Sequence, residues 1–345
     1  MAADIAEQPE GYARLLEPGH IKSISYVAAE IARRRPRHVL FAARGTSHHA
    51  ALYGAYLTEI RLGIPAGLAA PGVVTVFGAR PQLSEALVIG VSQSGGSPDI
   101  TEVLRAARSS GALTVAVTNN LESPLAGTAD LVVDVAAGHE RAVAATKTYT
   151  AELLALLLLI EGVRAGDGAI PDEELAALEP LPELAARILA DPAARDLAQR
   201  YRFAAQMVTT GRGYAYPTAR EAALKLMETS YLSALAFSGA DLLHGPVAMV
   251  DAHVPVLAVV GSGPGGQAMR GVLGRLAERR ADVLVVGSAA EEIEADARIP
   301  LPSLDERYAP LLDILPVQQL ALALALARGE NPDTPRGLSK VTSTL

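Results

Sequence analysis

The chain contains no cysteine. Disulfides, thiolate metal sites and a cysteine nucleophile are thereby excluded, and the composition suits a reducing compartment. An excess of positive charge is also missing, since the formal net charge is −8 at pH 7. A nucleic-acid surface needs a dense Lys/Arg face, so none is expected. The one basic cluster, Arg33-Arg34-Arg35-Pro36-Arg37, runs straight into an apolar segment and reads as a solvated helix end. Long apolar runs are missing too. Leu153 to Ile160 and Leu320 to Ala327 are far short of the roughly 20 residues that cross a bilayer, and both read as buried helices. The opening MAADIAEQPEGYA is acidic with no apolar centre, unlike a secretory signal. No His pair or carboxylate cluster stands at ligand spacing. His48 and His49 are adjacent, and neighbouring side chains point in different directions on helix and strand alike. The expectation is a cytoplasmic protein with no metal, no cofactor, and no nucleic-acid or membrane partner.

What is present is a chain of 345 residues, half of them hydrophobic and a fifth charged, enough for two domains with their own cores. Apolar, β-branched runs alternate with helical segments. His38 to Ala42, Leu87 to Val91, Leu113 to Val117 and Leu131 to Val135 read as strands, with a helix from about Pro98 to Ser109. Continuous apolar runs of this kind mark strands covered on both faces, hence a parallel sheet. The pattern recurs at Ala205 to Thr209, Val254 to Val260 and Val283 to Val286, roughly 165–170 residues later, which points to duplication of one unit. The predicted fold is α/β, with two doubly wound parallel-sheet subdomains in tandem. The expected organisation is a lead at 1–24, a first repeat at 25–165, a helical connector at 166–198, a second repeat at 199–330 and a tail at 331–345.

Ligands of such folds bind beyond the carboxyl ends of the strands, so the turns there carry the candidate chemistry. Ser92-Gln93-Ser94-Gly95-Gly96-Ser97 offers three hydroxyls, an amide and two glycines where strand passes to helix. Ser97 suits an N-cap and Pro98 the first helical position. Exposed N–H groups and the helix dipole favour an anion there, notably phosphate. An ordinary capped Ser/Gly turn explains the same residues. Thr46 and Ser47 place two more hydroxyls at the preceding strand end. In the second repeat, Gly261-Ser262-Gly263-Pro264-Gly265-Gly266 matches a dinucleotide fingerprint in form, yet the next strand ends without the acidic residue that holds a ribose. It reads as a tight turn. Glu221, Lys225 and Glu228 fall on one helical face, either as a solvated ion-pair stripe or as a site. His244, ahead of Gly245-Pro246, is conformationally specified, and an imidazole is the residue type suited to proton transfer. Periodicity gives no reason to single out Lys340.

Together, Glu7-Gln8-Pro9, Gly45-Thr46-Ser47, Ser92-Gln93-Ser94-Gly95, Val143 to Lys147, Gly211-Arg212-Gly213, Ala223-Leu224-Lys225, Glu228, Leu243-His244-Gly245-Pro246 and Pro335 to Thr342 resemble the sugar-isomerase (SIS) family. The likeness is to its glucosamine-6-phosphate synthase isomerase domain and to stand-alone glucosamine-6-phosphate deaminases. It covers nearly the whole chain. It implies that Ser47, Ser92, Gln93, Ser94 and Ser97 hold a sugar phosphate, with Thr46, Val143, Lys225 and Ser339 among the substrate-binding positions. It further implies that Glu228 moves a proton between C1 and C2, that His244 helps open the ring, and that Lys340 reaches the C1–C2 region. The tail thereby becomes an active-site tail, and a homodimer with a shared site is implied.

The sequence departs from the synthase in carrying no glutamine-hydrolysing domain with its N-terminal cysteine, so it is expected to be a different enzyme. Gly96 and Ala145 stand where relatives carry polar residues, which bears on the ligand. The preferred expectation is deamination of glucosamine 6-phosphate with isomerisation to fructose 6-phosphate. The runner-up is a lyase that dehydrates N-acetylglucosamine 6-phosphate through the same enolisation. A third reading, a non-catalytic sugar-phosphate sensor, has Glu228, His244 and Lys340 against it.

Overall fold

The computed structural model describes residues 1–340, so residues 341–345 of the expected tail lie outside the described residues. The strands are β1 (His38–Ala42), β2 (Ala66–Leu68), β3 (Ala86–Ser92), β4 (Leu113–Thr118), β5 (Leu131–Asp134), β6 (Gln206–Gly211), β7 (Ser233–Ser238), β8 (Val256–Val259), β9 (Val283–Gly287) and β10 (Ala297–Pro300). They form two five-stranded sheets, ordered β2-β1-β3-β4-β5 and β10-β9-β8-β6-β7. Every pairing is parallel. Counted within each half, both sheets run in the same order, with the second strand outside the first and the third on its other side. This is the doubly wound duplication expected from the sequence.

The chain separates into two compact units. The first-repeat unit holds Glu7–Glu140 and Lys147–Pro182, and Ser339 and Lys340 group with it. The second-repeat unit holds Met1–Ala6, Arg141–Thr146 and Glu183–Leu338.

Burial explains which strands the sequence announces. β3, β4, β8 and β9 are buried at every position, so both faces demand apolar residues. Three strands were not anticipated: β2, β7 and β10. All are edge strands, paired on one side. β2 is half-buried throughout, β7 begins exposed, and β10 alternates buried with exposed and ends on Pro300. A proline is tolerated at a sheet edge, where its missing N–H breaks no ladder. Such strands need no β-branched run, and their sequence gives no strong signal.

In the first-repeat unit, the helix Lys147–Ala165 carries Leu153 to Ile160 with no more than 1% exposure and packs on the helices Pro18–Arg34 and Gly45–Leu57. The basic run is a solvated helix end: Arg33, Arg34, Arg35 and Arg37 are exposed, and Arg35 terminates the helix in a left-handed conformation. In the second-repeat unit, the apolar helix extends over Ala309–Ala327, well beyond the segment Leu320 to Ala327. By length and composition it is able to span a bilayer, but it is mostly buried and packs along the helix Ala215–Ser230. It is a core helix.

Candidate active site

The first sheet changes direction between β1 and β3, and crevices open at such switch points beyond the strand ends. Both hydroxyl-bearing turns lie there. β1 and β3 run in register, Ala42 opposite Gly90. β1 leads through Arg44 into the helix Gly45–Leu57, whose first turn carries Thr46 and Ser47, both buried. β3 ends at Ser92 and leads through the serine loop into the helix Pro98–Ser109.

The loop is held by its own side chains. Ser92 Oγ accepts from the Gly95 N–H at 3.1 Å, and Ser94 Oγ from the Gly96 N–H at 3.2 Å. An accepting hydroxyl keeps its proton, so both still have a donor to offer. Ser97 occupies the N-cap position as expected, but its hydroxyl caps nothing, because its helix-facing bonds run through its carbonyl to Thr101. The Gln93 carbonyl accepts from the Asn119 N–H, and Gln93 lines a cavity of about 630 Å³ together with Ser94, Asn119 and Asn120. A second cavity, of about 640 Å³, opens on the loop's other flank against Gly96, Pro98 and Thr101. Gly95 turns at φ +60°, and a Cβ there would stand 2.0 Å from Ser123 Oγ. Only glycine serves.

Ser47 is differently placed. Its hydroxyl donates to Glu152 Oε1 at 2.8 Å, on the buried helix Lys147–Ala165, so its single proton faces a carboxylate. Sequence reasoning passed over Glu152 and also over Arg44 and Asp99. Asp99 sits in the first turn of the loop's helix, where its negative charge would oppose an anion. Arg44 answers it with Nε 2.7 Å from Asp99 Oδ2 while half of the arginine side chain stays exposed. The signal was present in an arginine directly before the Gly45-Thr46-Ser47 turn.

In the second-repeat unit, β6 leads into the helix Ala215–Ser230, which carries Glu221, Lys225 and Glu228. The structure brings the three together. Lys225 Nζ lies 3.3 Å from Glu221 Oε1 and 2.5 Å from Glu228 Oε2. The stripe is not solvated: Lys225 and Glu221 are fully buried, and Glu228 alone reaches the surface, with 21% of its side chain exposed. Burial pushes the Lys225 ammonium down, but the Glu221 and Glu228 charges outweigh it, so its affinity for the proton rises above the ordinary lysine value. Lys225 is a fixed positive charge.

His244 follows β7 and the short helix Gly239–Leu243, at an exposed corner. Gly245 behind it has φ +135°, a conformation essentially reserved for glycine, and Pro246 starts the next turn. No hydrogen bond joins His244 to Glu228 among the described residues. Val143 lies half-buried on the segment Arg141–Thr146, where Asp4 accepts from the Arg141 and Ala142 N–H groups at 3.1 and 2.9 Å. Ser339 and Lys340 are exposed. The His48 and His49 rings are 6.0 Å apart and nearly perpendicular. Among the described residues, no group of three His, Asp or Glu is placed to hold a metal ion.

Comparison with known proteins gives a consistent picture. The family model described as the SIS domain matches residues 33–162 and 201–328, once per repeat. A glutamine–fructose-6-phosphate aminotransferase (isomerizing) of Methanothermobacter thermautotrophicus is 35% identical over 346 residues, covering 99% of this chain and 56% of its own. This chain therefore spans little more than half of that relative. Among solved structures, a candidate phosphosugar isomerase from Silicibacter pomeroyi DSS-3 superposes with a TM-score of 0.86 at 36% identity, covering 96% of this chain and 99% of its own. A glucosamine-6-phosphate deaminase from Thermotoga maritima shares the fold, with a TM-score of 0.78 at 23% identity over 99% of this chain and 98% of its own.

Proposed function

The chain belongs to the SIS-domain family, and from that premise we propose that it deaminates glucosamine 6-phosphate, yielding fructose 6-phosphate and ammonia. The observation that carries the reading is the Lys225 clamp. A buried ammonium between two carboxylates leaves one of them, Glu228, at the surface with its lone pairs directed by a permanent charge. That is the equipment of a metal-free proton shuttle.

In this reading the hydroxyls of Ser92, Ser94 and Ser97, the Gln93 amide and the Thr46–Ser47 turn hold the phosphate, with Arg44 cancelling Asp99. His244 assists ring opening. Glu228 takes the proton from C2 of the open-chain aldehyde while O1 takes a proton from solvent, giving an enolamine, and Glu228 then returns its proton to C1 as the nitrogen lone pair forms the C2=N bond. The nitrogen on C2 is then an iminium carbon's substituent. Water adds to C2, the C–N bond breaks, and ammonia leaves with the ketone in place. Lys340 and Ser339 approach the C1–C2 region from the tail, Val143 completes the substrate contacts, and the buried Lys225 acts on the sugar through Glu228. The enzyme works as a cytoplasmic homodimer, which light scattering of the purified protein checks.

The deciding experiment incubates the protein with glucosamine 6-phosphate and, separately, with its N-acetyl form, and identifies products by mass. Ammonia with a ketose phosphate is the expected result. Loss of water from the N-acetyl form would make it a lyase instead, and tight binding without turnover would make it a sensor.

A further inference from the structure

The two repeats share strand order, and each sends its third strand into a helix that begins with proline, Pro98 in one and Pro264 in the other. By symmetry each should present a helix N-terminus to an anion at its strand-end crevice. The second crevice is already occupied. Glu306, on the segment between β10 and the helix Ala309–Ala327, lays both carboxylate oxygens over the first turn of the helix Pro264–Glu278. Oε2 accepts from the Gly265 N–H and Oε1 from the Gly266 N–H, each at 3.1 Å. Two oxygens of one anion on two successive N–H groups is the arrangement a phosphate would adopt.

The glycines are cut to fit this carboxylate. A Cβ at Gly265 would lie 2.5 Å from Glu306 Oε1, and one at Gly263 would lie 2.8 Å from Oε2. Gly266 has another task, since a Cβ there would strike the Gly261 carbonyl oxygen at 1.6 Å. The Gly261–Gly266 run thus makes room for Glu306 and for close helix–strand packing. Around it, strand-end hydroxyls persist: Ser288 Oγ accepts from the Ser262 N–H at 2.9 Å, and Ser262 Oγ lies 3.1 Å from Ser303 Oγ.

The first repeat differs at the matching point. Its segment after β5 carries Glu140, whose Oε2 accepts instead from the Thr148 N–H at 2.8 Å, at the head of the next helix. Asp99, the carboxylate in the first turn of the Pro98 helix, accepts from the Ile100 N–H at 2.9 Å through Oδ1 and is neutralised by Arg44 at Oδ2. That carboxylate covers one N–H only and is charge-paired, and among the described residues no acidic side chain from the segment after the last strand is laid across the serine loop as Glu306 is across its counterpart.

We propose that Glu306 is an internal anion that closes the second repeat's crevice, so that the chain takes phosphate through its first repeat alone. It is a specificity residue, and the inference rests on the phosphate reading of the Ser92–Ser97 loop. A fixed carboxylate both fills the two N–H sites and repels a dianion. Removing it restores the symmetry that the duplication implies.

The test titrates inorganic phosphate into four proteins: wild type, Ser92→Ala/Ser94→Ala, Glu306→Ala, and the combination of all three changes. Calorimetry gives the stoichiometry, and the amide signals of Gly265 and Gly266 report where phosphate lands. Wild type should bind one equivalent and Glu306→Ala two, and the combined variant should keep the one that shifts Gly265 and Gly266. A folded Glu306→Ala that binds the same single equivalent as wild type overturns the proposal. If that variant fails to fold, Glu306→Gln keeps an acceptor and the shape without the charge, and unchanged phosphate binding by it is equally fatal. The loop reading is scored separately: it fails if Ser92→Ala/Ser94→Ala binds as wild type does, while the gain on removing Glu306 is still read.

Discussion

Arg336 lies over the ring of Tyr231, with Cζ 3.8 Å from the centroid, and its backbone N–H donates to the Tyr231 hydroxyl at 2.9 Å. Tyr231 ends the helix that carries Glu228, in a left-handed conformation with φ 54°. The root of the tail is thus tied to the end of the helix that holds the proposed proton shuttle. An exposed cation–π contact contributes about 0.5–1 kcal/mol and a hydrogen bond about 0.5–1.5 kcal/mol. Together they suppress local opening roughly tenfold. Tyr231→Ala should therefore speed tryptic cleavage after Arg336 about tenfold, and Tyr231→Phe, which keeps the ring, should do less. Equal cleavage rates in all three proteins would show that the clasp does not anchor the tail.

The serine loop makes its own prediction. Ser92 and Ser94 each retain a hydroxyl proton beyond the N–H bond they accept, and a bond to a dianion is worth about 1.5–3 kcal/mol. The double alanine variant should lose at least about tenfold in affinity for the sugar phosphate. Its melting temperature should fall by a few degrees, because the buried Gly95 N–H loses its Ser92 acceptor at a cost of about 1–3 kcal/mol, while the fold survives. Calorimetry that shows unchanged affinity removes the loop from the site.

How far the sequence alone carries depends on where the determining contacts lie. The inner strands were legible because burial on both faces imposes continuous apolar runs, whereas β2, β7 and β10 sit at edges and carry no such demand. Helical spacing placed Glu221, Lys225 and Glu228 on one face. That this face is buried depends on tertiary packing, since the helix lies against β6, β7 and the sequence-remote helix Ala309–Ala327. Gly245-Pro246 flagged the corner at His244 because a positive φ requires glycine. The role of Gly263 and Gly265 was hidden, because the group they accommodate, Glu306, arrives from beyond two further strands. Lys340 drew notice through resemblance alone.

Asp313 supplies a pH dependence. Buried on the helix Ala309–Ala327, its carboxyl is pushed up to about 8, first by burial and then by the nearby Glu306 charge. A folded-state value above the unfolded one, near 3.9, means the native chain holds a proton that the unfolded chain releases. The contribution is fully present below about pH 4 and is lost as pH rises through about 8, at up to about 1.4 kcal/mol per pH unit between them. Wild type should melt lower at pH 8 than at pH 5 on this account. Asp313→Asn cannot ionise and should flatten that decline by several degrees, given about 2–4 °C per kcal/mol for a domain of this size. Parallel melting curves for the two proteins across this range would exclude the effect.

The last prediction concerns Glu228, on which both enzymatic readings of the chain depend. Its partner Lys225 is buried and charged, and Glu221 shares that charge from the far side. Replacing Glu228 with Gln keeps the size and leaves Lys225 paired with Glu221, so the fold should survive where loss of Lys225 would strand two carboxylates. The amide cannot accept a proton from carbon. Sugar-phosphate binding should persist, because the phosphate loop belongs to the other repeat, while kcat falls by about 10²–10⁴, the usual scale of general acid–base catalysis. Exchange of the C2 hydrogen with deuterated water, followed by NMR, isolates the step from ring opening and from ammonia release. A Gln variant that exchanges this hydrogen as fast as wild type would leave Glu228 as a structural ion-pair partner of Lys225 and send the search for the base elsewhere.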